Sequence, residues 1–275
     1  MTTPLLLIGK PHSGKTTFIA QLYGRTESDA SFLKLYKSVD DLTPIVDAVR
    51  SLANGDEVQT TPTDKTTVVK LPLVFNDGTK IDLNCPDYGG EQINKIIETR
   101  SVSSKWEDAI RDSYNWVLLV KPSDLTSSYD LSNKTINPET VTSDSNETEG
   151  FVVSDQSFFI ELLQILLHTK GQDSHFRNAT TKLTVVLTCW DELQTNAVPE
   201  IELESRLPLL SNYIKANWIK GYWQVLGLSS LGMSLKENGN REKYREAGAE
   251  RFGYFINKNG KPIEDLTQLI IEATF

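Results

Sequence analysis

At 275 residues the chain is longer than a small domain and shorter than two comfortable ones, so one decorated domain is the default expectation. Its 39% hydrophobic and 24% charged residues, with 16 Gly and 11 Pro, exclude a collagenous, coiled-coil or wholly disordered chain. The net charge of -9 argues against a broad nucleic-acid footprint or an anchor on an anionic membrane, and two cysteines, Cys85 and Cys189, cannot build a disulfide framework.

Residues 5–8 form a compact apolar run ending at Gly9, the pattern of a buried parallel strand. Residues 15–23 continue at helical spacing with Phe18, Leu22 and Tyr23 on one side. A second helix is expected over 41–53, capped by Asp40 or Asp41 and stopped by Asn54-Gly55. The Thr- and Val-rich run 66–75 leads into Asn76-Asp77-Gly78, a hairpin signal, so 80–85 should return antiparallel to it. Further buried strands are expected at 116–120 and 183–188, and a weaker one at 225–229, interrupted by Gly227. Helical patterns occupy about 102–112, 155–169 and 200–218. Strands alternating with helices imply a three-layer α/β fold with right-handed crossovers.

Residues 126–150 break the pattern, being dominated by Ser, Thr, Asn, Asp and Glu, and read as a solvated insertion. No leader, membrane span or lipidation signal is recognisable, because the apolar runs are short and position 2 is Thr. The expectation is a cytoplasmic chain with reduced thiols, no nucleic-acid partner and no membrane anchor.

Gly9-Lys10-Pro11-His12-Ser13-Gly14-Lys15-Thr16 matches G-x-x-x-x-G-K-[ST] in full, between the first strand and the first helix. Such a loop wraps a phosphate in backbone N–H groups at a helix N-terminus. Gly9, His12, Ser13, Gly14, Lys15, Thr16 and Thr17 are therefore the expected nucleotide contacts. Lys15 should bridge the β- and γ-phosphate oxygens, and Thr16 Oγ1 should ligate Mg2+. The His12 imidazole is expected to point outward rather than act as a base.

From this loop onward the chain resembles the P-loop GTPase superfamily. Asp87-Tyr88-Gly89-Gly90-Glu91 looks like its D-x-x-G element, in which Asp87 would hold Mg2+ and the Gly90 N–H would read the γ-phosphate. Thr188-Cys189-Trp190-Asp191 resembles its [NT]-K-x-D element. Two hydrogen bonds from guanine to the Asp191 carboxylate, at about 1.5–3 kcal/mol each, imply roughly 10²–10⁴ preference over adenine. The competing reading is that Asp191 caps a helix opening at Glu192. The family's Lys is replaced by Cys189, so Cys189 or Trp190 would have to cover the base.

Ser229 and Ser230, in Gly227-Leu228-Ser229-Ser230-Leu231-Gly232, stand where the family has its short S-A element. Thr60-Thr61-Pro62-Thr63 stands where switch I contributes a Thr to Mg2+ and the γ-phosphate; Thr63 is preferred and Thr61 is the reserve. The helical insertion near 37–55, Arg206-Leu207-Pro208-Leu209 ahead of Trp218, and Asp265-Leu266-Thr267 are similar to the bacterial double-GTPase group, whose members are associated with conflict and defence systems.

The resemblance implies a single small-GTPase-like G domain over 1–275. Its fold would be a P-loop NTPase fold with a mostly parallel central sheet and one antiparallel edge strand. It also implies a switch that hydrolyses GTP to GDP with Mg2+. Lys15, Thr63, Gly90 and Glu91 form the expected catalytic set; Thr16, Thr63 and Asp87 the metal set; Thr188, Asp191, Ser229 and Ser230 the base side. Glu91 occupies the place of a water-orienting Gln, and no Arg neighbours Thr60–Thr63. Turnover is therefore expected to be slow unless a protein partner or a second copy supplies a cation. Two alternatives share the phosphate loop: a nucleotide-binding scaffold without useful hydrolysis, and a P-loop ATPase or nucleotide kinase.

Overall fold

The computed structural model describes residues 2–27, 31–58, 68–87, 90–125, 154–173, 175–237 and 239–274. The elements run β1 (Thr2–Gly9), α1 (Lys15–Thr26), β2 (Leu33–Leu35), α2 (Thr43–Ala53), β3 (Val69–Phe75), β4 (Lys80–Cys85), α3 (Glu91–Thr99), α4 (Ser104–Asp112) and β5 (Asn115–Val120). They continue with α5 (Asp155–Lys170), β6 (Lys182–Thr188), α6 (Pro199–Arg206), α7 (Pro208–Asn217), β7 (Trp223–Ser229), α8 (Asn240–Ala247), β8 (Tyr254–Ile256), β9 (Pro262–Ile263) and α9 (Thr267–Glu272). All strands join one sheet in the order β2-β3-β4-β1-β5-β6-β7-β8-β9.

The central run β4-β1-β5-β6-β7 is parallel throughout. Strand alternation sends successive side chains of β1 to opposite faces. Leu5 and Leu7 meet Phe18, Ile19 and Leu22 of α1, together with Leu269 and Ile270 of α9. Leu6 and Ile8 instead face Ile93, Trp106, Ile110 and the α5 residues Phe159, Leu162 and Leu166. Both faces of β1 are thus dry, which is why its sequence reads as a continuous apolar run.

The edges differ from the expected single antiparallel strand. β3 is antiparallel to β4, but β2 pairs outside it, and β8 adds a second antiparallel strand beyond β7, capped by β9. The hairpin at Asn76-Asp77-Gly78 forms as expected: Asp77 Oδ1 accepts from the Thr79 N–H at 2.8 Å. The helix expected over 41–53 begins at Thr43, whose N–H donates to Asp41 Oδ1 at 2.9 Å, and ends with Asn54 as its C-cap.

The helical pattern expected over 200–218 divides into α6 and α7. Pro208 has no N–H to continue the ladder from α6 and instead opens α7 at its first position. The sequence pattern predicts neither β2 nor α3 nor anything from α8 onward; α3 is short and buries Ile93 and Ile96 in the core. The α5 run is core on one side, with Phe158, Phe159, Leu162, Leu163, Leu166 and Leu167 buried. The polar insertion 126–150 and Thr60–Thr63 lie outside the described residues.

Candidate functional site

The parallel strands β1, β4, β5, β6 and β7 end together at one edge of the sheet, where α/β folds with this winding gather their ligand contacts. The Gly9–Thr16 loop leaves β1 there. Gly14, at φ 83°, is the N-cap of α1, and its carbonyl accepts the Phe18 N–H at 2.9 Å. His12 is also left-handed, at φ 62°, and is exposed. Gly14 takes this conformation without the Cβ penalty that His12 bears.

Lys15 is 3% exposed, and its Nζ donates to Gly9 O at 2.5 Å and Lys10 O at 2.7 Å. Burial pulls its pKa below the usual lysine value, opposed by the charges of Asp87 and Glu91. Ser13 Oγ is buried with no hydrogen-bond partner among the described residues. A Cβ on Gly9 would fall 2.5 Å from that same oxygen. A multi-oxygen anion fits this cradle: it would meet the ammonium, the orphaned hydroxyl and the helix N-terminus together.

The β4–α3 connection closes over the loop. Gly90, at φ 90°, is the N-cap of α3, and a Cβ there would stand 2.5 Å from Pro11 N and 2.7 Å from Lys15 Nζ. Asp87 is 6% exposed; Oδ1 accepts the Gly90 N–H at 2.8 Å and Oδ2 the Ile93 N–H at 3.1 Å. Burial raises the Asp87 pKa, against the pull of the Gly90 N–H and the Lys15 charge. Glu91 opens α3 within the electrostatic reach of Lys15. Gln92 is held away as structure: Trp106 Nε1 donates to its Oε1 at 3.0 Å, while its Nε2 donates to Pro86 O at 3.3 Å.

Thr188 ends β6 next to this loop; a Cβ on Gly14 would touch its Cβ at 3.8 Å. Cys189 then takes a left-handed φ of 53° and caps a 3₁₀ turn over Trp190–Leu193. Asp191 sits inside that turn rather than capping a helix at Glu192, and no hydrogen bond holds its half-buried carboxylate among the described residues. Trp190 is 5% exposed and packs on Gly227 of β7. It belongs to the core and is not available to cover a base. Cys189 is half-buried, and burial pushes its thiol up to about 12, so it is a neutral group. Ser229 ends β7 buried and accepts the Gly232 N–H at 3.0 Å, with half-buried Ser230 beside it.

The structure therefore brings Gly9, His12, Ser13, Gly14, Lys15, Thr16, Thr17, Asp87, Gly90 and Glu91 to one edge, with Thr188 and Ser229 ending the adjoining strands β6 and β7 and Asp191 and Ser230 in the turns that follow them. Thr61 and Thr63 fall outside the described residues. Two lysines at this edge had no motif role to mark them. Lys10 and Lys121 each directly follow the last residue of a strand, and that position is the signal. Lys10 pairs with Asp155 of α5 and stands 4.7 Å above the Phe158 ring. Lys121 pairs with Asp124 at 2.8 Å. Among the described residues, no helix is long and apolar enough to cross a membrane.

A family profile described as Double-GTPase 1 matches residues 6–273. A search of curated proteins finds no match. Among solved structures, the bacterial selenocysteine-specific elongation factor EF-Sec shares 15% identity at a TM-score of 0.39, over 90% of this chain and 29% of that one. The Arl6 small GTPase from Trypanosoma brucei, solved with a nucleotide analogue, shares 14% at a TM-score of 0.40, over 91% and 99%. The S. cerevisiae Ski7 GTPase-like domain, solved with GDP and inorganic phosphate, shares 14% at a TM-score of 0.44, over 84% and 43%. The chain thus spans under a third of the elongation factor and under half of the Ski7 chain.

Proposed function

The chain belongs to the Double-GTPase 1 family, and from that premise we propose that it binds GTP with Mg2+ and hydrolyses it slowly to GDP and phosphate as a molecular switch. The observation that carries this reading is the cradle itself. Lys15 lies desolvated among carbonyls at the start of α1, beside a buried hydroxyl of Ser13 that has no partner among the described residues. A triphosphate tail would satisfy both groups.

Hydrolysis is an in-line attack of water on the γ-phosphorus, accelerated by positioning and charge neutralisation. Lys15 would leave its two carbonyls to bridge β- and γ-oxygens, and the Gly90 N–H would turn from Asp87 to the γ-phosphate. Thr16, Asp87 and, from switch I, Thr63 are the oxygen donors that suit Mg2+, a hard cation. The metal, when bound, would neutralise charge on the phosphate oxygens. Asp191 would accept the guanine N1–H and 2-amino group, with the β7 end at Ser229 and Ser230 facing O6.

Slow turnover follows from what stands after Gly90. Glu91 is an anion, and the next residue, Gln92, is engaged by Trp106 and Pro86 and so is not free to orient water. A cation from a protein partner or second copy would supply the missing charge; such groups are worth about 10³–10⁵ in rate. The resemblance to conflict-associated proteins supports a partner of that kind in a bacterial cytoplasm. The same engagement of Gln92 favours, as a second reading, a nucleotide-binding scaffold that does not hydrolyse usefully.

The test is competition of GDP, GTP and ATP against fluorescent GDP on protein stripped of carried-over nucleotide. Guanine nucleotides should win by at least about a hundredfold, and Asp191→Ala should erase that preference. Lys15→Ala should abolish binding. ATP winning in the wild type, or Lys15→Ala binding normally, overturns the reading.

A further inference from the structure

A purine gripped at its edge by a carboxylate still has two bare faces, and at least one must be covered to exclude water. Around the Thr188–Asp191 turn the obvious candidates fail. Trp190 is packed against Gly227, and Cys189 is short, neutral and half-buried. The cations of the phosphate loop are committed elsewhere, Lys15 to the phosphates in the reading above and Lys10 to Asp155.

Lys121 is different. Parallel pairing sets Val120 against Leu187, so Lys121 emerges from β5 level with the start of this turn. Thr188 Oγ1 donates to Val120 O at 3.3 Å, and Ser123 Oγ donates to Glu192 Oε2 at 2.8 Å. These two bonds hold the residues around Lys121 to the turn that carries Asp191. The ammonium also lies in the electrostatic field of Glu192. Its present partner, Asp124, is 55% exposed while Lys121 itself is 24% exposed, so the ion pair is open to water on the carboxylate side, which can be resolvated when the lysine leaves. A lysine stem is apolar and flexible, and its head group favours the face of a π-system.

We propose that Lys121 is the base-covering residue of this site, its methylene stem and ammonium lying over one face of the guanine and taking the place that Cys189 cannot fill. This rests on the guanine-nucleotide reading above and adds a specificity determinant from a different strand.

The experiment measures displacement of fluorescent GDP by GDP, ADP and inorganic tripolyphosphate for the wild type and four variants. Lys121→Ala should weaken GDP binding about tenfold and leave tripolyphosphate within about twofold, since the latter touches the phosphate loop alone. Lys121→Met should recover part of the loss by restoring the stem. Asp124→Asn, which frees the lysine without removing it, should bind GDP at least as well as the wild type. Cys189→Lys in the Lys121→Ala background should restore GDP affinity.

GDP affinity unchanged in Lys121→Ala overturns the proposal. So does a parallel loss of tripolyphosphate affinity, or a loss in Asp124→Asn as large as that in Lys121→Ala. A wild type that fails to prefer GDP over ADP defeats the guanine reading instead and takes this assignment with it. Thermal unfolding of each variant within a few degrees of the wild type keeps the comparison one of binding.

Discussion

The indole of Trp190 lies against the backbone of Gly227, so close that a Cβ on the glycine would stand 2.4 Å from Cε3 and 2.5 Å from Cδ2. The two residues belong to neighbouring parallel strand ends, in the turn after β6 and within β7. The glycine that interrupts β7 is thus the seat of the aromatic ring that anchors the Asp191 turn. A side chain at 227 would push the turn off the sheet.

Gly227→Ala should therefore cost about 1–3 kcal/mol by overpacking, since the nearest atoms are a rigid ring and not the end of a flexible chain. Nucleotide affinity should fall with it, because the displaced ring carries Asp191. Chemical denaturation and fluorescent-GDP binding measure the two effects. Unchanged stability in Gly227→Ala would show that the ring is not held as described.

Gly90 has a comparable constraint on the other side of the site. At φ 90° it occupies backbone space that costs an L-residue about 1–2 kcal/mol, and a Cβ would also meet Pro11 N, Lys10 C and Lys15 Nζ within 2.8 Å. Gly90→Ala should lower single-turnover GTP hydrolysis more than about tenfold, since the N–H assigned to the γ-phosphate and the lysine both move. Hydrolysis at the wild-type rate would remove Gly90 from the catalytic set.

These constraints show where the sequence was and was not legible. The phosphate loop is contiguous, so eight adjacent residues between an apolar run and a helix declare it. Strands β1, β5 and β6 declare themselves because both of their faces are buried. The role of Trp190 was hidden, because its packing partner lies 37 positions away and the motif places a base-contacting residue beside it. The sheet edges were hidden for a related reason: β2, β8 and β9 have two or three residues each, too few to show a period. Helix α3 is not legible because its start is set by Asp87 accepting N–H groups from Gly90 and Ile93, contacts that a D-x-x-G pattern does not announce.

Lys10 and Asp155 link the phosphate loop to the first turn of α5 across 145 positions. Asp155 is 4% exposed in its side chain and Lys10 33%, so the pair is buried on one side only. Asp155→Asn should destabilise the fold by about 1–3 kcal/mol, below the full value for a buried pair because water screens the lysine end. Lys10→Met should cost less alone, and a double-mutant cycle in urea should show coupling between them. Additive costs would mean that the two side chains act independently.

Cys189 offers a check on the electrostatics of the base side. Burial pushes its thiol from an ordinary 9.0 up to about 12, with Glu192 adding to the rise and Lys121 opposing it. At pH 8 the thiolate fraction falls from about 10⁻¹ to roughly 10⁻⁴, so alkylation should run about a thousandfold slower than in the unfolded chain. Fully buried Cys85 is also pushed up to about 12 and should be silent in the same assay. The rate at Cys189 should climb about tenfold per pH unit from 8 towards 11, and it should fall further in Lys121→Ala, which removes the cation that favours the thiolate. Both thiols hold their protons more tightly folded than unfolded, so their contribution to stability is complete below pH 9 and is lost as the pH rises through 12. Timed iodoacetamide labelling, read by peptide mass spectrometry, locates each cysteine. Rapid labelling of Cys189 at pH 8 would contradict the buried, neutral thiol on which the assignment of Lys121 depends.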